Sequence, residues 1–390
     1  MRTVDLFCGC GGMSLGFQNA GHNVVAAFDN WPQAVECHRR NFSHTVVELD
    51  LSDADAAVTA VAEYSPEMII GGPPCQDFSH AGNRLEGARA DLTYSYAKII
   101  VGVRPRYFVM ENVARVSSSA AYKKAVAVLR TVYGLTEKVL DASFCGVPQN
   151  RKRFFCIGGL GEEDGFLDME LSSFQSVLPL SVRKYYEQNG YGLLFDYYYR
   201  HPRTYKRRAV FSVDEPAPTI RGVNRPKPEG YRRHPADPVE PDGVVQLTYK
   251  DRARIQTFPD WFDWGDNPTA IEQMIGNAVP VKLAEYVASC IDRYSQGEVS
   301  SHDLRFIDWL KEEKHFTHRA ANDILSRVKR ADRILPLSSG AGCAEYITAL
   351  HECDDFGKIQ PSIQSQIKRA VRLCCEYQDK RSDLDWEEAI

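Results

Sequence analysis

Over the first third of the chain, short apolar runs alternate with stretches whose apolar positions recur every three or four residues. TVDLF (3–7), VVAAF (24–28), TVVEL (45–49), MII (68–70), YFVM (107–110) and LTEKVL (135–140) carry the β-branched and aromatic content of strands. Between them the spacing predicts helices near 13–20, 32–41, 54–63, 92–103 and 121–133. Alternation of this kind predicts an α/β fold built on a parallel sheet covered on both faces. Ligands of such sheets bind at the carboxyl ends of the strands.

From about residue 158 the period is lost, and loops rich in Pro, Arg and Tyr run to about 243. Helical spacing returns in LTYKDRARIQTF (247–258), IEQMIGNAVP (271–280) and VKLAEYVASCIDRY (281–294). Beyond the polar SQGEVSSHD (295–303) the tail reads as helices near 304–313, 317–330, 342–351 and 361–378. There Phe306, Ile307, Leu310, Ile324, Leu325, Val328, Ile363, Ile367, Val371 and Leu373 keep helical spacing, which predicts a small separate core.

Composition narrows the class. A chain of 390 residues predicts two or three domains, and 44% hydrophobic with 25% charged residues fits a soluble globular protein. No apolar run approaches the roughly 18 residues of a membrane span, and MRTVDLF at the start leaves no room for a signal peptide. The eleven cysteines lack C-x-x-C spacing, so they read as reduced thiols of a cytoplasmic protein, with no metal site expected. A net charge of −5 excludes a surface coated in positive potential but not a local basic groove. The stretch 183–233 is the exception, since its arginines and lysines are interleaved with Tyr185, Tyr186, Tyr197, Tyr198, Tyr199 and Tyr205. Basic and aromatic residues together suit the binding of phosphates and bases.

The candidate chemistry clusters at strand ends. DLFCGCGGMSLGF (5–17) places glycines between a strand and a helix, where backbone amides approach a nucleotide-like ligand closely. Its pattern is G-x-G-G rather than the G-x-G-x-x-G of dinucleotide dehydrogenases. Asp29 closes the second strand, where a carboxylate takes both hydroxyls of a ribose or caps a helix, and Asp50 after the third can accept from an exocyclic amine. In GGPPCQDFS (71–79), Pro73 and Pro74 fix φ and hold Cys75 in one orientation, while Gly71 and Gly72 admit a ligand. An exposed, oriented thiol is a nucleophile; a buried one is packing. Glu111 ends the fifth strand and offers an acid one strand from Cys75, or simply a helix start. In QNRKR (149–153), Arg151 and Arg153 project to one side of an extended strand, or form a solvated charged edge.

In their order and spacing DLFCGCGG, GGPPCQDFS, ENV, QNRKR, LTYKDRARIQTFP and GNAVP resemble the DNA (cytosine-5)-methyltransferases, over about 1–295. The resemblance implies a Rossmann-like S-adenosylmethionine-dependent methyltransferase domain with a small irregular target-recognition domain and a C-terminal helical extension. It places the catalytic and cofactor lobe at 1–159, target recognition at 160–245, a return to the lobe at 246–298 and the extension, of unknown role, at 299–390. S-Adenosylmethionine is the implied cofactor. Phe7, Gly9, Gly11 and Gly12 would form its loop, with Asp29 on the ribose and Trp31 beside it. Asp50 and Leu51 would lie near adenine, and Pro73, Leu92, Asn277 and Val279 would complete the pocket. One departure is that Asp29 stands where many relatives have Glu.

By the same resemblance Cys75 is the nucleophile, Glu111 the acid at ring nitrogen 3 and Arg151 with Arg153 the pair supporting the base, while 76–92 forms a loop that closes over it. The implied partner is double-stranded DNA, contacted by Gln76, Ser79, Arg200, Arg203, Arg207 and Arg221, with APTIR (217–221) a further motif found in relatives. A cognate restriction endonuclease is a candidate partner. The expected state is a monomer or weak dimer, cytoplasmic and, in a bacterium, nucleoid-associated. Competing readings are a tRNA cytosine-5 methyltransferase, a non-catalytic DNA-binding regulator on the same scaffold, and a nicotinamide oxidoreductase, which explains only the first 50 residues.

Overall fold

A computed structural model describes residues 1–74, 92–202, 204, 207–297, 301–337 and 342–387. The chain divides into two compact units, Met1–Asp164 with Pro179–Ala288, and Gly165–Leu178 with Ser289–Ile390.

The first unit is built on a seven-stranded sheet of order β3-β2-β1-β4-β5-β8-β6. Its strands are β1 (Arg2–Leu6), β2 (Asn23–Asp29), β3 (Thr45–Glu48), β4 (Met68–Gly71), β5 (Tyr107–Val113), β6 (Tyr133–Asp141) and β8 (Lys152–Leu160), with the two-residue β7 (Gln149–Asn150) outside it. Helices α1 (Gly12–Asn19), α2 (Pro32–Asn41), α3 (Ala54–Ala62), α4 (Leu92–Val103) and α5 (Ala120–Leu129) fill the intervals. β1 pairs in parallel with both β2 and β4, so strand order reverses between β1 and β4. A reversal of this kind opens a crevice at the carboxyl ends.

The sheet is not wholly parallel. β8 runs antiparallel to both β5 and β6, whereas its sequence, KRFFCIGGL, lies where the strand-and-helix alternation fades. Two glycines hide it. Gly158 pairs with Phe108 of β5, and a Cβ there would lie 2.0 Å from the Phe108 ring, so a bare backbone is what lets the strands meet.

One sheet face buries Val4, Leu6, Phe28, Ile69, Tyr96, Ile100, Phe108 and Met110 in a common core. A second core joins Leu15 and Ala34 to the irregular segment through Val182, Tyr186, Tyr198 and Phe211, and to Phe258, Ile271 and Ile275. That segment contains α7 (Val182–Gln188) and only short strands, β9 (Tyr197–Tyr199), β10 (Val210–Ser212), β11 (Ala217–Pro218) and β12 (Val245–Gln246). The carboxyl of Asp237 organises it, accepting from the amides of Ala209, Val210 and His234 and from the Tyr231 hydroxyl. Helices α8 (Tyr249–Ile255), α9 (Pro268–Asn277) and α10 (Val281–Ser295) follow.

The second unit sets α6 (Asp168–Ser173) among α11 (Ser301–Glu312), α12 (His318–Ile334), α13 (Cys343–Glu352), α14 (Asp354–Gly357) and α15 (Pro361–Glu387). Phe306, Ile307, Leu310, Ile324, Leu325, Val328, Ile367 and Val371 are all buried, with Ile363 and Leu373 packed against them. Met169 enters the cluster of Phe306 and Leu325, and Val177 and Leu178 pack against a second cluster that holds Ile367 and Val371. Gly165–Leu178 thus belongs with the tail and not with the irregular segment into which its sequence position puts it. No helix among the described residues is long and apolar enough to cross a membrane.

Candidate active site

The loop after β1 takes its shape from backbone conformations that most side chains avoid. Phe7, Gly9 and Gly11 have φ of 55°, 53° and 98°. A Cβ on Gly11 would lie 2.4 Å from Phe42 Cε2, and one on Gly12 would lie 2.3 Å from the Val279 carbonyl oxygen. The GNAVP turn is therefore pressed directly onto the glycine loop. From β2, the Asp29 carboxylate ties the loop down: Oδ2 accepts from the Gly9 amide and Oδ1 from the Trp31 amide, both at 2.8 Å. Burial pushes the Asp29 carboxyl up, against the pull of those backbone donors.

The structure thus gathers Phe7, Gly9, Gly11, Gly12, Asp29, Trp31 and Val279 around the ends of β1 and β2. Leu51 and Pro73 are buried. Asp50 is exposed after β3, its Oδ1 accepting from the Ser52 amide at 3.0 Å. Leu92 is the half-buried first residue of α4, and Asn277 is exposed at the end of α9.

Sequence reasoning missed Asp5. It is fully buried in β1, where its Oδ2 accepts from the Ser14 hydroxyl at 2.7 Å while Oδ1 has no partner among the described residues. Burial, aided by the negative charge of Asp29, pushes this carboxyl up to about 7. A buried carboxyl oxygen left unpaired beside a glycine loop is a place for a ligand's donor. The available signal was its position, one residue before the end of a strand that runs straight into glycines.

At the end of β5, Glu111 lies beside the GGPP turn, and a Cβ on Gly72 would sit 3.3 Å from its Oε2. Arg153 holds the other oxygen, Nε to Oε1, at 2.8 Å. Burial raises the Glu111 carboxyl and Arg153, then Arg151, oppose that rise. Asn112 also proves to be part of the site, since its Nδ2 donates to the Pro73 carbonyl at 2.8 Å and fastens the proline pair to β5. Cys75, Gln76 and Ser79 lie outside the described residues, as does the rest of the 75–91 stretch.

Arg151 and Arg153 do different work. Arg151 falls in the break between β7 and β8, so strand alternation does not carry across it. Its buried guanidinium donates to the carbonyls of Ile220, Gly276 and Ala278, each at 2.9 Å. Gln149 and Gln256 extend this network: Gln149 donates to Gln256 and accepts from the Ile220 amide, both at 2.8 Å, and Gln256 donates to the Ile275 carbonyl at 2.5 Å. The QNRKR, IQTF and GNAVP motifs are one buried polar assembly.

Of the expected DNA contacts, Arg200 donates to the Thr219 carbonyl at 2.6 Å, and Arg221 donates to that of His201. Arg252 donates to the Arg221 carbonyl and pairs with Glu272. Arg200, Arg221 and Arg252 line a concavity with Tyr199, Asn224 and Arg225. Arg207 is exposed and Arg203 lies outside the described residues. No group of three or more metal-ligating side chains occurs among the described residues.

Residues 1–293 match the family described as C-5 cytosine-specific DNA methylase. The chain is 50% identical over 305 residues to the type II methyltransferase M.HindV of Haemophilus influenzae, covering 77% of this chain and 99% of that one. It is 51% identical over 296 residues to the type II methyltransferase M.HgiDI of Herpetosiphon aurantiacus, covering 75% and 95%. In three dimensions it shares the fold of the S. pombe Dnmt2 methyltransferase, with a TM-score of 0.56 at 19% identity over 74% of this chain and 97% of that one. With a family match through residue 293 and relatives about half identical over nearly their whole length, the chain belongs to the C-5 cytosine-specific DNA methylases and is an enzyme of that family.

Proposed function

We propose that the protein is a type II enzyme that methylates carbon 5 of cytosine in duplex DNA through a covalent bond to Cys75, using S-adenosylmethionine. The observation that carries this reading is the buried Glu111–Arg153 pair, 2.8 Å across, against the turn that leads into Cys75. The residues at the ends of β1 and β2 suit the cofactor: a close-packed glycine loop, the Asp29 carboxylate, and the unpaired Asp5 oxygen for a cationic donor. Phe7, Gly9, Gly11, Gly12, Asp29 and Trp31 would hold it, with Asp50, Leu51, Pro73, Leu92, Asn277 and Val279. Bound there, S-adenosylmethionine supplies an electrophilic methyl group on sulfur.

The protein's part is to make carbon 5 a nucleophile. Cys75 adds its thiolate sulfur to carbon 6 of the ring, and Glu111 holds a proton at nitrogen 3, where negative charge develops. Burial favours the protonated carboxyl, and Arg153 orients it. After carbon 5 has been methylated, loss of its proton expels the thiolate and restores the aromatic ring. Cys75 is thereby regenerated. A stacked base hides its faces, so the cytosine must leave the duplex, as substrates of DNA methyltransferases do, at a cost of a few kcal/mol. The 76–92 stretch is assigned to closing over it, and the irregular 160–245 region, apart from Gly165–Leu178, to reading sequence, with Arg207 one of its exposed arginines.

The relatives' type II names favour DNA over tRNA as substrate and a restriction endonuclease as companion. We place the enzyme in the cytoplasm with the DNA, acting as a monomer or weak dimer. The test is to offer unmethylated duplex DNA and, separately, tRNA together with cofactor deuterated in its methyl group. Nucleoside mass spectrometry should find deuterated 5-methyldeoxycytidine from the DNA; label in the tRNA alone would replace this reading with the RNA one.

A further inference from the structure

Beneath the glycine loop runs a line of side chains that the reaction does not use. His38 on α2 places Nδ1 3.2 Å from the Gly9 carbonyl oxygen. Its Nε2 lies 2.9 Å from Nε2 of His44, whose Nδ1 lies 3.4 Å from the Gln18 amide nitrogen. A carbonyl oxygen only accepts, so the hydrogen at the first contact sits on His38 Nδ1. A neutral His38 then accepts at Nε2, His44 donates through Nε2, and His44 Nδ1 accepts from Gln18. One tautomer at each ring satisfies every contact. Burial holds both rings neutral, pushing His38 down to about 3 with help from His44, and His44 down to about 4.

The surroundings confine this line. Phe42 packs against both rings, with centroids 4.4 Å from His38 and 5.1 Å from His44, and it is the same ring that crowds Gly11. Gly9 is therefore gripped at both of its backbone groups: Asp29 accepts from its amide at 2.8 Å, and His38 donates to its carbonyl, which the Cys8 thiol also reaches, more weakly, at 3.7 Å. A glycine at positive φ has wide backbone freedom unless something removes it.

We propose that Gln18, His44 and His38 form a positioning relay that fixes the Gly9 carbonyl and so sets the loop's affinity for S-adenosylmethionine, an inference that rests on reading this loop as the cofactor site. Without the relay, Gly9 samples orientations that do not bind, and apparent affinity falls by the fraction of time spent in them. The chemistry at Cys75 and Glu111 is not involved.

Two variants separate the donor from the packing. His44→Phe keeps a ring against Phe42 and removes the donor to His38, whereas His44→Gln keeps a side-chain N–H of similar reach. Calorimetric titration with S-adenosylhomocysteine should show His44→Phe weaker by roughly three- to tenfold, the worth of one hydrogen bond, and His44→Gln within about twofold of the parent. At saturating cofactor kcat should match the parent for both, with KM for the cofactor following affinity. Nitrogen-15 spectra of the parent imidazoles should show hydrogen on Nδ1 of His38 and Nε2 of His44. Unchanged affinity in a folded His44→Phe, or the opposite tautomer at either ring, overturns the relay. If His44→Phe does not fold, Gln18→Leu removes the outer donor, and unchanged affinity there overturns the proposal equally. A parent protein that binds neither cofactor nor analogue defeats the cofactor reading instead, and the tautomers still decide the relay.

Discussion

At the carboxyl edge of the sheet, loops are shaped by backbone: positive φ at Phe7, Gly9 and Gly11, and a Gly12 so close to Val279 that no Cβ fits. In the irregular 179–246 segment, strands are two or three residues long and arginines fasten the loops, Arg200 to Thr219 and Arg221 to His201. Arg151, entering from the sheet side, ties the same segment to the GNAVP turn. The two regions use charge differently. At the edge, ionisable groups such as Asp5 and Glu111 are buried and pushed toward their neutral forms. In the segment, guanidiniums satisfy carbonyls that regular secondary structure would otherwise satisfy. An arginine-rich sequence is thus partly a structural device.

The largest expected effect tests the edge. Glu111→Gln should lower the methylation rate by ~10²-fold or more, the usual worth of a positioned acid, with cofactor affinity little changed. If weaker cofactor binding is the main defect in titration, Glu111 serves the pocket and the division of labour is wrong. Arg151→Met tests the other side. It leaves the buried carbonyls of Ile220 and Gly276 without their donor, at about 1–3 kcal/mol each, while Ala278 keeps a bond from Gln256 at 3.2 Å, so thermal unfolding should show a drop in Tm of several degrees. A Tm equal to the parent's would mean that those carbonyls find other partners.

Smaller effects separate the arginines from one another. Arg207→Ala, at an exposed position, should leave Tm unchanged and weaken DNA binding while reducing the salt dependence by about one counterion. Arg221→Ala should lower stability by about 1 kcal/mol through the lost bond to His201, whatever it does to DNA affinity. Equal behaviour of the two in melting and binding would erase the contrast between structural and DNA-facing arginines.

A pH titration probes the edge again, more gently. Asp5 is pushed from 3.8 to about 7, so between those values the folded protein holds a proton that the unfolded chain releases. Its contribution to stability is therefore full at low pH and is lost as pH rises through that window. Asp5→Asn should flatten this part of the denaturation profile. A slope identical to the parent's would show that the carboxyl is ionised throughout.

Much of the edge was legible because its signals are local. β-Branched runs marked β1 to β6, and the DLFCGCGG, GGPP, ENV and QNRKR motifs lie at or beside strand ends. β8 escaped because Gly158 answers to Phe108 across the sheet, a reason invisible along the chain. Gln149 and Gln256 escaped for the same cause, being 107 residues apart, and a lone glutamine carries no pattern. Asp5 escaped because it lies inside a strand rather than after one, and only its burial and unpaired oxygen mark it. The segment was the least legible region. Arg200 and Arg221 fit the composition of a DNA surface, and only their carbonyl partners reveal the second role. Gly165–Leu178 joined the wrong neighbours in sequence for want of any periodicity across so short a helix.

The claim on which all of this depends is methylation of cytosine carbon 5 through Cys75, and bisulfite sequencing of DNA from cells expressing the protein tests it most directly. Expression in a host lacking cytosine methylation should leave cytosines unconverted at one recurring sequence, and Cys75→Ser expressed to the same level should abolish the pattern. Full conversion with the parent protein, or an undiminished pattern with Cys75→Ser, would contradict the account.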